Sequence, residues 1–320
     1  MTTAAKNIDL GVDLVTFFHP SFWRVKTYAE IIDYAAASPR PFWEEILDSM
    51  AAAEVPGLEL TFSPFHWEDA VQTFGSVGKF ADALSTRGLK LASGFLVDLA
   101  RHAGDEAATG DRRSAILEQT RRYAGFIRAC GGEVMVAGMP MRKTWSAEPP
   151  LFVNLRTAEA VADLANEMGA ATLREGVRLA LHTEAHSVFC TARDVDLFLM
   201  LTDPTYVFFC PDTAHLLVAG ADPLKVVERH LDRVAIAHWK DAIGPAPLEI
   251  VIDEHIHEKH RPYFRRLGAG RMDWPAWIRL MRDARFKGWA ILELDAVPDP
   301  VAEMRACRSF VETVLAPTYS

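Results

Sequence analysis

Four short apolar runs in the second half of this 320-residue chain each end on a side chain that ligates hard or borderline metals. They are LALHTE ending at Glu184, YVFFCPD at Asp212, RVAIAH at His238 and WAILE at Glu293. Ligands at strand ends converge on one point only if the strands are parallel and adjacent. That is the geometry of a (β/α)8 barrel, whose functional groups gather at the C-terminal mouth. Two glutamates, an aspartate and a neutral imidazole make a mixed oxygen and nitrogen donor set, suited to Mn²⁺, Mg²⁺, Co²⁺ or Zn²⁺ rather than to a soft metal.

Each candidate has a plainer alternative. His182 lies two residues before Glu184, so both face the same way from an extended strand. Glu184 is favoured because carboxylates hold hard cations best; a strand that breaks earlier leaves His182 as the ligand instead. Asp212 also suits the N-cap of the helix after it, with His215 in that helix's first turn, placed to touch a ligand or a substrate. Lys240 is no ligand while charged, but it can hold a substrate oxygen or stabilise an enolate; its plainer role is an ion pair with Asp241. Glu293 is costly to bury at the end of an aliphatic strand without a partner, which a metal or a proton-transfer role would explain; Asp295 is its solvated alternative. Glu59, in GLELTF, is a similar strand-end carboxylate that can line the mouth without being assigned as a ligand.

The elements that must position these groups alternate along the chain. The pattern predicts strands near Asp9–Val15, Gly57–Leu60, Leu89–Leu96, Glu133–Ala137, Val177–His182, Tyr206–Cys210, Val234–His238 and Trp289–Leu292. Apolar residues at i, i+3, i+4 spacing predict helices over Phe42–Ala53, Val77–Arg87, Arg112–Cys130, Ala158–Glu175 and Trp274–Ala284. Alternating strand and helix implies parallel strands with crossovers, and eight such units fill residues 1–320 as one domain. Several units share a glycine between helix and strand (EVPGLEL, TRGLKLA, REGVRLAL, FKGWAILE), a stop signal for the helix. Asp273 before Trp274-Pro275 is a cap followed by a first-turn proline. Residues 242–270 do not fit a short connection; a loop of that length is usually functional, and its place at the mouth predicts a cover over the site.

Composition excludes several classes. The net charge is −9, and no basic stripe for tracking nucleic acid phosphates is present. No run approaches the length of a membrane span, and the N-terminus lacks the build of a signal peptide. The four scattered cysteines show no CxxC spacing, the pattern of a reduced, cytoplasmic protein. HEKH (His257 to His260) lacks the i, i+4 histidines of a zinc-protease helix and reads as part of the covering loop. GxSxG, a phosphate-binding GxxxxGK[ST] loop and a dinucleotide GxGxxG are all absent.

The string LGAGRMDWPAWIRLMRDARFKGWAILELD, with PDTAH and AHWKD before it, resembles the sugar phosphate isomerase/epimerase superfamily, the xylose isomerase-like barrels. The resemblance is most specific from Gly176 onward. The fifth strand departs from it: many members carry Glu directly after the LAL run, where this chain has His182. The resemblance implies one divalent ion, Mn²⁺ foremost, and a keto sugar or sugar derivative as substrate. It implies that the glutamates, here Glu184 and Glu293, move the proton next to the carbonyl, through an enediolate that the metal stabilises. Reprotonation gives an isomerase or epimerase. Loss of a β-substituent gives a lyase, as in inosose dehydratases or in the deglycosidase subunits that cleave 3-oxo C-glycosides with a small second subunit. A homo-oligomer is expected in either case. The aromatic segments Phe17–Trp23 and Thr61–Trp67 suit stacking on a sugar face or packing of the barrel rim. Competing readings are a trinuclear-zinc DNA-repair endonuclease, disfavoured by the acidic charge, and a non-catalytic barrel subunit.

Overall fold

Short aliphatic runs that stop at a glycine on one side and a polar loop on the other can bury both faces only inside a sheet covered by helices. In the computed structural model, which describes residues 7–97, 110–144, 146–147 and 150–319, they do so as a barrel. The strands are β1 (Ile8–Asp13), β2 (Gly57–Leu60), β3 (Lys90–Leu96), β4 (Val134–Gly138), β5 (Arg178–His182), β6 (Val207–Cys210), β7 (Ala237–Trp239) and β8 (Gly288–Leu292). Neighbours pair in parallel in the order β6-β5-β4-β3-β2-β1-β8-β7. The remaining seam, between β6 and β7, is crossed by two single parallel bridges, Phe209 to Val234 and Asp212 to His238. The chain is a TIM barrel, as its alternating pattern predicts.

The helices lie outside and bury one stripe each. Leu155–Arg174 turns Val161, Leu164, Ala165 and Met168 inward, each large side chain contributing roughly 1.5–3 kcal/mol of burial. Gly176 follows with φ +77°, a left-handed turn that lets β5 start at once. Asp273 caps Trp274–Asp283 by accepting from the Ala276 amide at 2.9 Å. Inside the barrel, Ala92, Phe95, Val134, Val136, Ala180, Cys210, Ala235, Ile236 and Ile291 form a plug of their own. The mouth therefore opens onto a packed floor.

One strand differs from its expected bounds in a way that matters. β7 begins at Ala237 rather than Val234, because Leu231–Arg233 forms a 3-10 turn in which the buried Arg233 donates to the Val207 and Leu199 carbonyls and to Thr202 Oγ1. β5 ends at His182 as expected, where pairing with β6 stops opposite Cys210; Glu184 lies beyond it. Residues 242–270 contain short elements of their own: a helix Ile256–His260, a 3-10 turn Arg261–Tyr263, and an antiparallel ribbon of Asp241–Ala242 with Phe264–Arg265. Among the described residues no helix is long and apolar enough to cross a membrane.

Candidate metal centre and active-site pocket

The C-terminal ends of the strands surround a cavity of about 580 Å³, lined among others by Asp13, Phe18, Phe62, Phe95, Met139, His182, Glu184, His186, His215, Glu293 and Asp295, with His257, His260, Arg261 and Phe264 from the 242–270 segment. On its floor, His182, Asp212, His238 and Glu293 offer ligand atoms that all lie within 4.8 Å of one another. Three of the four expected ligands, Asp212, His238 and Glu293, are thus brought together. The fifth-strand member of the group is His182, not Glu184. Both face the interior, but the strand ends at His182, and Glu184 stands higher on the cavity wall with its carboxylate 3.8 Å from His186 Nε2.

Each donor is held by its own strand end. Asp212 does two things at once: Oδ1 caps the helix Thr213–Val218 by accepting from the His215 amide at 2.7 Å, and Oδ2 is left toward the cluster. His182 Nε2 is 3.9 Å from Asp212 Oδ2 and 4.0 Å from Glu293 Oε2. Burial, then the neighbouring His238, pushes the His182 pKa down to about 3, so its ring is neutral with a lone pair to give. His238 Nδ1 lies 2.8 Å from Glu293 Oε2. Burial alone would lower the His238 pKa, but Glu59, Cys210 and Glu293 outweigh it and hold it well above the ordinary value. Glu59 is wholly buried beneath the ring, takes a 2.5 Å bond from Ser93 Oγ, and places Oε1 3.0 Å from His238 Nε2.

Lys240 pairs with Glu293 Oε1 at 2.7 Å and with Asp295 Oδ2 at 2.6 Å. The ion pair with Asp241 that the sequence suggests does not form. Successive residues at a strand end face opposite ways, so Lys240 turns to the mouth and Asp241 away from it. Burial would lower the lysine's pKa, yet Asp295, Glu293 and Asp212 together raise it, which keeps it a cation and a donor. Glu293, which burial would protonate, is held well below the usual carboxylate range by Lys240, with His215 and His238 also bonding to it. Asp295 is no solvated spectator: it and Ala296 adopt φ of +40° and +55°, a strained pair costing of order 1–3 kcal/mol each, and burial pushes its pKa up to about 6.

His215 Nδ1 accepts from the Ala185 amide at 3.0 Å, so the proton sits on Nε2, 3.8 Å from Glu293 Oε1. Burial takes its pKa down to about 4 and keeps the ring neutral. Glu184, by contrast, is pushed up to about 8 by burial and by Glu293, and carries a proton at neutral pH.

The donor set fits a cation. Both ring nitrogens of His182 and Asp212 Oδ2 are buried with no hydrogen-bond partner among the described residues. Unpaired buried polar groups cost about 1–3 kcal/mol each. The carboxylates that hold a proton on His238 would equally hold a metal ion in its place.

Sequence reasoning missed Asp13 and His186, whereas the 242–270 segment, with His257 and His260, covers the cavity as expected. Asp13 had the same signal as the others, a carboxylate ending an apolar strand; its pKa is raised well above the ordinary value by burial, then by Glu59 and Glu293. His257 and His260 carried no usable spacing. Of the aromatic segments, Phe18 and Phe62 face the cavity, while Trp23 and Phe65 stack on Phe42 in the core.

Residues 47–311 match the family model described as xylose isomerase-like TIM barrel. The chain belongs to that family. It is 24% identical over 201 residues to an inosose dehydratase of Clostridium perfringens, a match covering 59% of this chain and 68% of that one. A xylose isomerase-like TIM barrel protein from Mycobacterium smegmatis, solved in complex with magnesium, superposes with a TM-score of 0.69 at 14% identity over 100% of both chains. An IOLI protein with a bound zinc atom gives 0.66 at 12% identity over 96% of this chain and 99% of that one. With such relatives the chain is an enzyme.

Proposed function

We propose that the chain is a divalent-metal-dependent lyase that eliminates water from a keto sugar or oxo-polyol after removal of the proton next to the carbonyl. The observation that carries this reading is the buried His182–Asp212–His238–Glu293 group, with its unpartnered donor atoms, on the floor of the cavity at the barrel mouth. The similarity to inosose dehydratases favours elimination over isomerisation or epimerisation. The 24% identity makes the substrate class part of the proposal.

In this reading His182, Asp212, His238 and Glu293 hold the ion, and Glu184 does not. A divalent ion supplies Lewis-acid stabilisation of negative charge developing on a substrate oxygen. Glu293, kept ionised by Lys240, is the group that takes the proton. Lys240 and the Nε2–H of His215 stabilise negative charge beside it. Glu184, carrying its proton at neutral pH, donates to the departing hydroxyl. The same removal of a proton followed by its return to the other face is the isomerase reading, and it leaves Glu184 without that task.

The test is incubation of Mn²⁺-loaded protein with oxo-inositols, ketohexoses and 3-oxo-glycosides in D₂O, followed by NMR. The expected result is loss of water from one substrate class and at least 100-fold slower turnover in Glu184→Gln, within the range by which a positioned acid or base contributes. Exchange of the α-proton without loss of water would move the assignment to isomerisation. No exchange with any of the three classes would remove the carbanion chemistry altogether.

A further inference from the structure

The barrel interior holds a second donor set beneath the first. Cys210 ends β6 and belongs to the inner plug with Phe95, Ala180, Ala235 and Ile236. It stands two residues before Asp212 on an extended chain, so both side chains face inward, the thiol one layer deeper. His182, Cys210 and His238 offer ligand atoms that all lie within 4.8 Å of one another, and all three residues are buried. Neither ring nitrogen of His182 has a hydrogen-bond partner among the described residues, and Nδ1 of His238 is engaged by Glu293 at the mouth, which leaves Nε2 to face the deeper layer. Glu59 is wholly buried and sets Oε1 3.0 Å from His238 Nε2.

We propose that His182, Cys210 and His238 form a binding site for a thiophilic divalent cation of the zinc and cadmium class, one side-chain layer below the mouth. One thiolate and two imidazoles are the donors such ions prefer, whereas Mg²⁺ and Mn²⁺ favour oxygen. Glu59 Oε1 is placed to complete a four-coordinate shell. As the metal bonds form, the thiol proton and the proton held on His238 both leave to solvent. Both metal sites draw on His182 and His238, so filling one empties the other. That exclusivity rests on the mouth reading proposed above; the sulfur–nitrogen site itself does not. Its consequence is inhibition by thiophilic ions, which pull the two histidines away from Asp212 and Glu293.

The experiment uses the full chain, stripped of metal and titrated with Cd²⁺ and then Co²⁺, with thiolate-to-metal charge-transfer absorption as the readout. One equivalent should produce the sulfur band. C210S should abolish it and weaken Cd²⁺ binding at least tenfold with an unchanged near-ultraviolet circular dichroism spectrum, and Cys130→Ser should leave it intact. Cys210→Ala gives the same comparison if the serine hydroxyl disturbs the plug. A band that survives both Cys210 variants, or no band in the unaltered chain, overturns the site. Excess Mn²⁺ should suppress the band. A band that forms normally but ignores Mn²⁺ keeps the sulfur–nitrogen site and overturns the exclusivity.

Discussion

From β1 to β4 the cavity wall is mostly carbon: Val15, Phe18, Phe62, Phe95, Val97 and Met139, with Asp13 and Thr61 among them. From β5 to β8 it is His182, Glu184, His186, His215, Glu293 and Asp295. The first half offers faces on which a ring can stack and from which water is kept away; the second carries the groups that hold charge and move protons. The pairing is physically useful. Behind such a wall the carboxylates and imidazoles of the second half lose their water first and then feel one another's charges more strongly than they would in water, which is why they depart so far from their ordinary titration ranges. Phe95 is where the halves meet: its ring packs edge-on against His182, 5.4 Å between centroids.

This division can be broken from the polar side most severely. Lys240→Met removes the cation from between Glu293 and Asp295 and leaves the buried Glu293 carboxylate facing the half-buried Asp295. Breaking a buried pair costs roughly 3–5 kcal/mol, so urea unfolding at neutral pH should show a loss of that size. Adding Asp295→Asn should recover part of it. A loss under 1 kcal/mol would mean that the carboxylates relax into solvent.

A smaller effect is expected where the polar half anchors the cover. Asp241 accepts from Trp274 Nε1 at 2.8 Å and from the amides of Gly268 and Met272 at 3.1 Å. Gly270 passes so close that a Cβ there would collide with Asp241 Oδ1 and the Ala242 carbonyl. Asp241→Asn should cost about 1–3 kcal/mol and raise amide hydrogen exchange over residues 264–272 more than in the barrel strands. Uniform exchange would show that the cover is anchored elsewhere.

The smallest change tests the apolar half. Phe62→Ala removes a ring from the cavity wall, where an aromatic contact is worth about 0.5–1.5 kcal/mol. KM should rise roughly three- to tenfold with kcat little altered. An equal fall in kcat would mean that the two walls do not separate binding from chemistry as cleanly as their composition suggests.

Much of this was readable in the chain. The glycine before each strand and the aliphatic run after it place β2 and β5 within a residue or so, and Asp273 caps its helix as its neighbours Trp274 and Pro275 suggest. Asp212, His238 and Glu293 were legible because strand ends in a parallel barrel share one destination. His182 against Glu184 was not, because both have the same parity, and only the pairing of β5 with β6, which stops at Cys210, sets how deep each one stands. Lys240 and Asp241 misled for the opposite reason: adjacent in sequence, they point to opposite sides of the wall. The histidines of the cover had no periodic signal, since a loop that folds over a cavity is organised by what it touches.

The seam between β6 and β7 has a further consequence. One of its two bridges is Asp212 to His238, so two of the residues proposed to grip the ion are also the stitch that joins the sheet's last edges. An ion shared between them would act as a rivet through that joint. Loading the enzyme and making its wall rigid would then be a single event, and a chain deprived of metal would gape first at the place where it is meant to work.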